Sequence, residues 1–505
     1  MNKPLKHTLL ITIKNFIKNF TRINPNKSRI TSINRETKIE KPSEKPSMTN
    51  NETKIETHFT TSIKKFNHGF RWSLFGSLTY EILKTAHCFL LLKLLDAQVY
   101  GVVGSLFSII YLSTYIADFG ATNSCTPYLA VWTENKKNFK KLLWRYFLAP
   151  HIIILTTCSG IVTYFAVQKF ATITNPPYLF LIPGIIILEA IRSFLRMFLY
   201  TVFKNKIIVI TEVTIFICYI SAIWIAHFFF AIPLTYNLIF VPHFIDSLFS
   251  VVLLSLAVYK YYKTLPDTEE NIKPSLWKRI ATTRIFNYLL RLSRHMFTSN
   301  VFTPLFAIKF GLKAAGIFYF ASTVANVLNA VIKLTFGYTG GALLATLKDS
   351  PQQEKVTAFN YLCQRLMMVV APIVIFLTIN HKALIALSSA PNIASTVIGL
   401  SLLYLIITFT EFFFLLYEQF YIIEEATGKL FLFKLFEFAV FYGVIATATS
   451  SIVTTLLSVI IIRLVSFSII AINAFYLWKI TPTFKTNIRY FIASVIFALL
   501  ATLVL

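Results

Sequence analysis

The chain has 505 residues, 56% of them apolar, and a formal net charge of +26. That apolar share excludes an ordinary water-soluble domain. The cations sit in the N-terminal tail and in alternate loops between apolar runs, which fits the positive-inside rule and excludes nucleic acid as the reason for the charge.

Residues 1–66 read as a basic, disordered cytoplasmic tail. Leu5–Phe20 places Leu9, Ile13, Phe16, Ile17 and Phe20 at helical spacing with Lys6, Lys14 and Lys18 elsewhere on the wheel, the pattern of a helix lying on an anionic membrane surface. Thr21–Thr60 is rich in Asn, Thr, Lys, Glu and Ser and is expected to be disordered. No long uncharged stretch marks a signal peptide, and translation from Met48 is an alternative start.

From residue 70 onward the apolar runs are long enough to cross a bilayer as helices. About thirteen spans are predicted, near 70–95, 101–124, 146–168, 178–200, 207–230, 237–260, 284–309, 316–345, 361–380, 394–420, 431–449, 452–478 and 488–505. The basic loops Lys136–Lys141, Lys204–Lys206, Lys260–Arg284, Lys348–Lys355, Lys429–Lys434 and Lys479–Arg489 all fall on one side of this arrangement. The N-terminus is therefore expected in the cytoplasm and Leu505 near the outer face. The expected architecture is all-α and polytopic: a bundle over 70–262, a cytoplasmic linker over 263–283, a second bundle over 284–479, and a final helix over 488–505. Six spans per half give both halves the same orientation, with a pseudo-two-fold axis along the membrane normal.

Two segments repeat a turn between spans. Leu95-Asp96-Ala97-Gln98-Val99-Tyr100-Gly101 joins spans one and two, and span two ends in Ala117-Asp118-Phe119-Gly120. Phe310-Gly311-Leu312-Lys313-Ala314-Ala315-Gly316 makes a similar turn between spans seven and eight. The first turn and the Ala-Asp-Phe-Gly end resemble the polysaccharide transporter branch of the multidrug/oligosaccharidyl-lipid/polysaccharide (MOP) exporter superfamily, in which Leu-Gly-x-x-x-Tyr/Phe-Gly and Ala-Asp-x-Gly are common. Asp96 stands where that pattern has glycine. With span order, mid-chain linker and second turn, the resemblance covers about residues 70–480. It implies an oligosaccharide flippase of the O-antigen type, located in a bacterial inner membrane. Such a protein turns a polyprenyl-pyrophosphate-linked sugar from the inner to the outer leaflet for cell-surface polysaccharide and lipopolysaccharide synthesis.

Ionisable groups inside spans are costly and face a cavity or a partner. In span seven, Arg284, Asn287, Arg291, Arg294/His295 and Thr298/Ser299 recur on one helical face. Arg291 and Arg294 lie about 10 and 15 Å beyond Arg284 at helical rise, deep enough to hinder snorkelling. The stripe reads as the wall of a hydrated cavity whose guanidinium groups hold a pyrophosphate bidentately, or as cations paired with neighbouring carboxylates. Span one carries Ser77, Glu81, Lys84 and His87/Cys88 on one face. Glu81 and Lys84 are either ligand or coupling-ion residues or simply each other's partners. Arg291, Arg294, Lys84 and His295 are thus the candidate substrate-binding residues, and Glu81, Asp118, Asp246 and Glu411 the candidate ion-coupling ones. Glu189, Arg192 and Arg196 form an i, i+3, i+7 ladder read as structural. Lys93 and Lys309 read as interfacial anchors, and Lys333, Glu437 and Arg463 stand alone.

Five cysteines, Cys88, Cys125, Cys158, Cys218 and Cys363, lie within or beside spans with no CxxC pair, so neither a disulfide framework nor a zinc site is indicated. No Walker A, HExxH or GxSxG pattern is present, and no cofactor, metal or enzymatic activity is expected. The residues support a monomeric secondary carrier working by alternating access, whose partners are a lipid-linked oligosaccharide and membrane lipids. The rival functions are a drug or small-solute exporter of the same superfamily and a membrane polysaccharide polymerase or ligase. A polymerase would need a large external loop, and the longest external stretch is the short one near Gln168–Pro177.

Overall fold

A computed structural model describes residues 50–117, 135–143, 149–170, 179–267, 284–331 except 287, 291 and 294, 339–347, 350–386, 391–448 except 425, and 451–478. Among them every long regular element is an α-helix. In chain order these are α1 (Asn50–Leu94), α2 (Ala97–Ala117), α3 (Lys136–Leu142), α4 (Ala149–Phe170), α5 (Leu181–Thr201), α6 (Asn205–Phe228), α7 (Tyr236–Lys263), α8 (Ser299–Phe310), α9 (Leu312–Val331), α10 (Thr339–Thr346), α11 (Gln352–Ala386), α12 (Pro391–Ile423), α13 (Thr427–Ala448) and α14 (Ile452–Trp478). The chain divides into two units, Met1–His68 and Gly69–Leu505. Residues 50–66, expected to be disordered, are helical. The sequence explains this, because Ile55, Phe59, Ile63 and Phe66 continue an apolar helical spacing into span one.

The second unit is apolar outside and polar inside. Phe75, Ile153, Phe165, Phe249, Ile308, Phe436 and Ile461 are exposed, while Ser77, Glu81, Arg192, Asp246, Glu437 and Arg463 are buried. A solvent of hydrocarbon dictates that inversion, since each polar group must then find its partner within the protein. α2, α6, α7 and 452–477 of α14 are each long and apolar enough to cross a membrane. The helices follow the predicted spans through span twelve; the final segment 488–505 and Leu5–Phe20 lie outside the described residues.

The basic loops of the first half meet at one end. Asn205 donates from Nδ2 to Gly69 O at 3.1 Å and to Ser73 Oγ at 2.6 Å. Lys136 N donates to Pro266 O at 3.1 Å, and Lys136 Nζ lies 2.8 Å from Asp267. The side chain of Asn135 caps α3 by accepting from Lys137 N.

The repeated turns begin α2 and α9, which pack on each other. In the first, the Asp96 carboxylate accepts from Gln98 N at 2.9 Å, a helix cap that glycine lacks. In the second, Gly311 takes φ +90°, a conformation that favours glycine. Just beyond, α2 and α9 touch backbone to backbone. A Cβ on Gly101 would stand 2.1 Å from Leu312 O, and one on Gly316 2.4 Å from Ala97 O. Glycine at both positions is what lets these helices approach so closely.

Span seven is broken rather than continuous. Residues 284–295 are helical where described, Met296–Thr298 turn, and α8 starts afresh at Ser299 with Thr298 extended (φ −96°, ψ 161°). A helix start inside a membrane protein exposes backbone N–H groups. Ser299 N donates to the Tyr404 hydroxyl of α12 at 2.7 Å, while Thr298 Oγ1 donates back to His295 O at 2.7 Å.

Candidate functional site

A cavity of about 240 Å³ lies between the two halves of the sequence. Its wall comes from α1, α2, α5 and α6 on one side and from residues 295–300, α9 and α12 on the other. Ser77, Glu81 and Lys84 of α1 face it together, as their i, i+4, i+7 spacing requires. Glu81 and Lys84 are also 3.7 Å apart, so the pairing and the cavity placement coexist.

His295 lines the cavity with Thr298, Ser299 and Asn300. It lies just before the break in span seven, and its ring stacks on Tyr115 of α2 with centroids 3.4 Å apart. Arg284 is buried. Arg291, Arg294 and Asp118 lie outside the described residues. Glu411 falls within α12, and its side chain is not described. Lys93 and Lys309 are exposed near the turns.

The ladder on α5 is not merely a structural edge, because Glu189, Arg192 and Arg196 all line the cavity. Arg192 is the centre of a buried cluster. It donates from Nε to Glu212 Oε1 at 2.8 Å, from Nη1 to Glu189 at 2.8 Å and to Asp246 at 3.0 Å, and from Nη2 to Glu212 Oε2. Ser247 holds Glu189 through a 2.7 Å hydrogen bond, and His243 Nδ1 lies 3.9 Å from Asp246. Asp246 is therefore bound into this cluster rather than placed on the cavity wall. Glu212, which span periodicity did not single out, is the most heavily used carboxylate. The available signal was a lone acid early in the apolar run Ile207–Phe230.

Glu437 and Arg463 do not stand alone, and Lys333 lies outside the described residues. Lys434 lies 3.0 Å from Glu437 and 3.6 Å from Glu418, and Arg463 lies 3.4 Å from Glu437. All four are at most 1% exposed. Lys434 Nζ sits 3.6 Å from the Phe414 ring centroid, and Arg463 covers Phe297 at 4.4 Å. Lys434, expected in a basic loop, is thus two turns inside α13 and buried between α12 and α14.

Between the charges the cavity is lined by tyrosines and small polar groups. Tyr80, Tyr111, Tyr115, Tyr200 and Tyr319 contribute rings and hydroxyls, and Asn300, Asn326 and Asn329 contribute amides. Among the described residues no cluster of His, Cys, Asp or Glu is arranged to hold a metal ion.

The fold, a helical membrane bundle with a cavity between its halves, is similar to that of solved MATE transporters. An outward-facing multidrug resistance MATE transporter of the MOP superfamily aligns over 86% of this chain and 96% of its own, with a TM-score of 0.58 at 10% identity. A MATE crystallised in complex with MaD3S aligns over 83% and 97%, with a TM-score of 0.57 at 12% identity. The eukaryotic MATE transporter AtDTX14 aligns over 86% and 100%, with a TM-score of 0.54 at 11% identity. No family profile and no curated protein matches the sequence.

Proposed function

We propose that the chain is a secondary transporter that carries a polyprenyl-pyrophosphate-linked oligosaccharide across a bacterial inner membrane by alternating access of two bundles, working as a monomer with its N-terminus in the cytoplasm. The observation that supports this cargo is the lining of the cavity. Tyrosine rings, amides and hydroxyls suit a saccharide, and Lys84 and Arg196, each with a side chain 27% exposed, suit an anionic headgroup. The prenyl chain would stay in lipid against the exposed apolar helix faces.

A second reading is export of a drug or small solute. It is favoured by structural neighbours that are multidrug resistance transporters, and by Glu81, Glu189 and Glu212 on the cavity wall. Reconstitution decides between them. Full-length protein in liposomes is offered a fluorescent prenyl-pyrophosphate disaccharide in one arm and ethidium in the other. Accelerated reorientation of the lipid, with no ethidium movement, is the expected result. Ethidium transport without lipid reorientation would replace the first reading by the second.

A further inference from the structure

We propose that Arg196 is the anion anchor of the cavity, with Lys84 its partner across the wall, and that Glu212 is the resident counter-ion whose place at Arg196 a ligand's phosphate takes while Glu212 stays bound to Arg192. The proposal rests on the reading that the cargo carries an anionic headgroup, and adds which groups hold it.

Three cations face the cavity from described residues, and they are not equivalent. Arg192 is 2% exposed and spends its donors on Glu189, Glu212 and Asp246. Four of its five N–H donors are thus taken by carboxylates, which leaves little for a ligand. Arg196 lies one turn further along α5 and among the described residues makes one hydrogen bond, from Nη1 to Glu212 Oε2 at 3.2 Å. A guanidinium carries five N–H donors in a planar fork, so most of the Arg196 head remains for a ligand.

The geometry also explains why Arg196 is ready but not locked. The oxygen it touches is the one already taken by Nη2 of Arg192. Glu212 is pinned by Arg192 through both oxygens, so it stays in place when Arg196 turns away. A phosphate entering the cavity can therefore take Arg196 without unmaking the cluster behind it. Lys84, paired at 3.7 Å with Glu81, supplies a second, less directional positive charge from α1.

The test uses the full chain in nanodiscs, with inorganic pyrophosphate and farnesyl pyrophosphate as probes and binding read by calorimetry. Arg196→Gln is expected to weaken both probes at least about tenfold, and Arg196→Lys to weaken them less, because charge is kept and the fork is lost. Glu212→Gln is expected to tighten both, since it removes the competing charge while its amide oxygen still accepts from Arg192. A purely structural role for the pair predicts the opposite sign there. Unchanged binding in a folded Arg196→Gln chain overturns the assignment. So does weaker binding in Glu212→Gln, which decides the matter even where the Arg196 variant fails to fold. If the wild-type chain binds neither probe but binds ethidium, the lipid-linked cargo itself is wrong, and the anchor falls with it.

Discussion

Gly316→Ala tests whether the contact between the repeated turns sets the conformational balance. The added Cβ would sit 2.4 Å from Ala97 O and 3.0 Å from Gly101 N, and ordinary contact begins at 3.4 Å. Both neighbours are backbone, so neither can swing aside as a side chain would, and α2 and α9 must part by roughly 1 Å at this point. Overpacking of this kind costs about 1–3 kcal/mol. The cost falls only on the state in which the two turns touch, so its population relative to the open state should drop roughly 5- to 150-fold. Spin labels at Lys93→Cys and Lys313→Cys, both exposed near the turns, report their separation by electron-electron resonance in a chain whose native cysteines are replaced. A shift to longer distances and slower transport are expected. Gly160→Ala, where a Cβ would meet nothing within 4 Å, is the control. Identical distance distributions in both variants would show that the glycine contact does not govern the equilibrium.

Removing Arg192 leaves Glu189, Glu212 and Asp246 buried without their common partner, so Arg192→Ala should cost about 3–5 kcal/mol and show as loss of monodisperse protein by fluorescence-detected chromatography. Lys434→Met should cost a similar amount, whereas Lys434→Met with Glu437→Leu should regain most of it, because a matched buried pair can be exchanged for apolar groups almost neutrally; a double variant no better than the single would mean that Arg463 and Glu418 depend on the pair. Tyr404→Phe strands the Ser299 N–H at the break in span seven and should lower thermal stability by about 1–3 kcal/mol. An unaltered melting curve would imply that the α8 start finds another acceptor.

The order of the helices was legible because long apolar runs bounded by cations have few other solutions in a bilayer, whereas some ends were not: α1 starts at Asn50 and α11 spans Gln352–Ala386. The stripe Ser77, Glu81, Lys84 was legible for the same local reason: one helix determines one face. What local periodicity cannot show is a cluster assembled from several helices. Arg192 meets Glu212 twenty residues away and Asp246 fifty-four residues away, and no spacing rule links them. The same holds for Lys434, whose partners Glu418 and Arg463 lie on two other helices. Reading it as a loop cation followed from its neighbour Lys429, which is exposed. The break in span seven has no Pro or Gly at 296–298 to announce it. Thr298-Ser299-Asn300 is, in hindsight, an N-cap run inside an apolar span.

The two buried charge clusters differ in balance, and that difference singles out Asp246. Around Glu418, Lys434, Glu437 and Arg463 two carboxylates meet two cations, sealed from the cavity and packed under aromatic rings. Around Arg192 three carboxylates, Glu189, Glu212 and Asp246, meet two guanidinium groups, those of Arg192 and Arg196. One formal negative charge is in excess beside the cavity. Glu212 engages both its oxygens and Glu189 is braced by Ser247. Asp246 accepts one bond through Oδ2, and its buried Oδ1 has no hydrogen-bond partner among the described residues. It is the carboxylate that the cluster uses least. In Asp246→Asn the amide oxygen can keep the bond from Arg192, the NH2 group takes the unpartnered position, and the excess charge disappears. The substitution should therefore leave the melting temperature within a few degrees of wild type, a change of about 1 kcal/mol or less, whereas Glu212→Gln should be less well tolerated. Measured side by side in detergent, a collapse of the Asp246→Asn chain with a stable Glu212→Gln chain would reverse this ranking and show that the excess charge is held by Glu212.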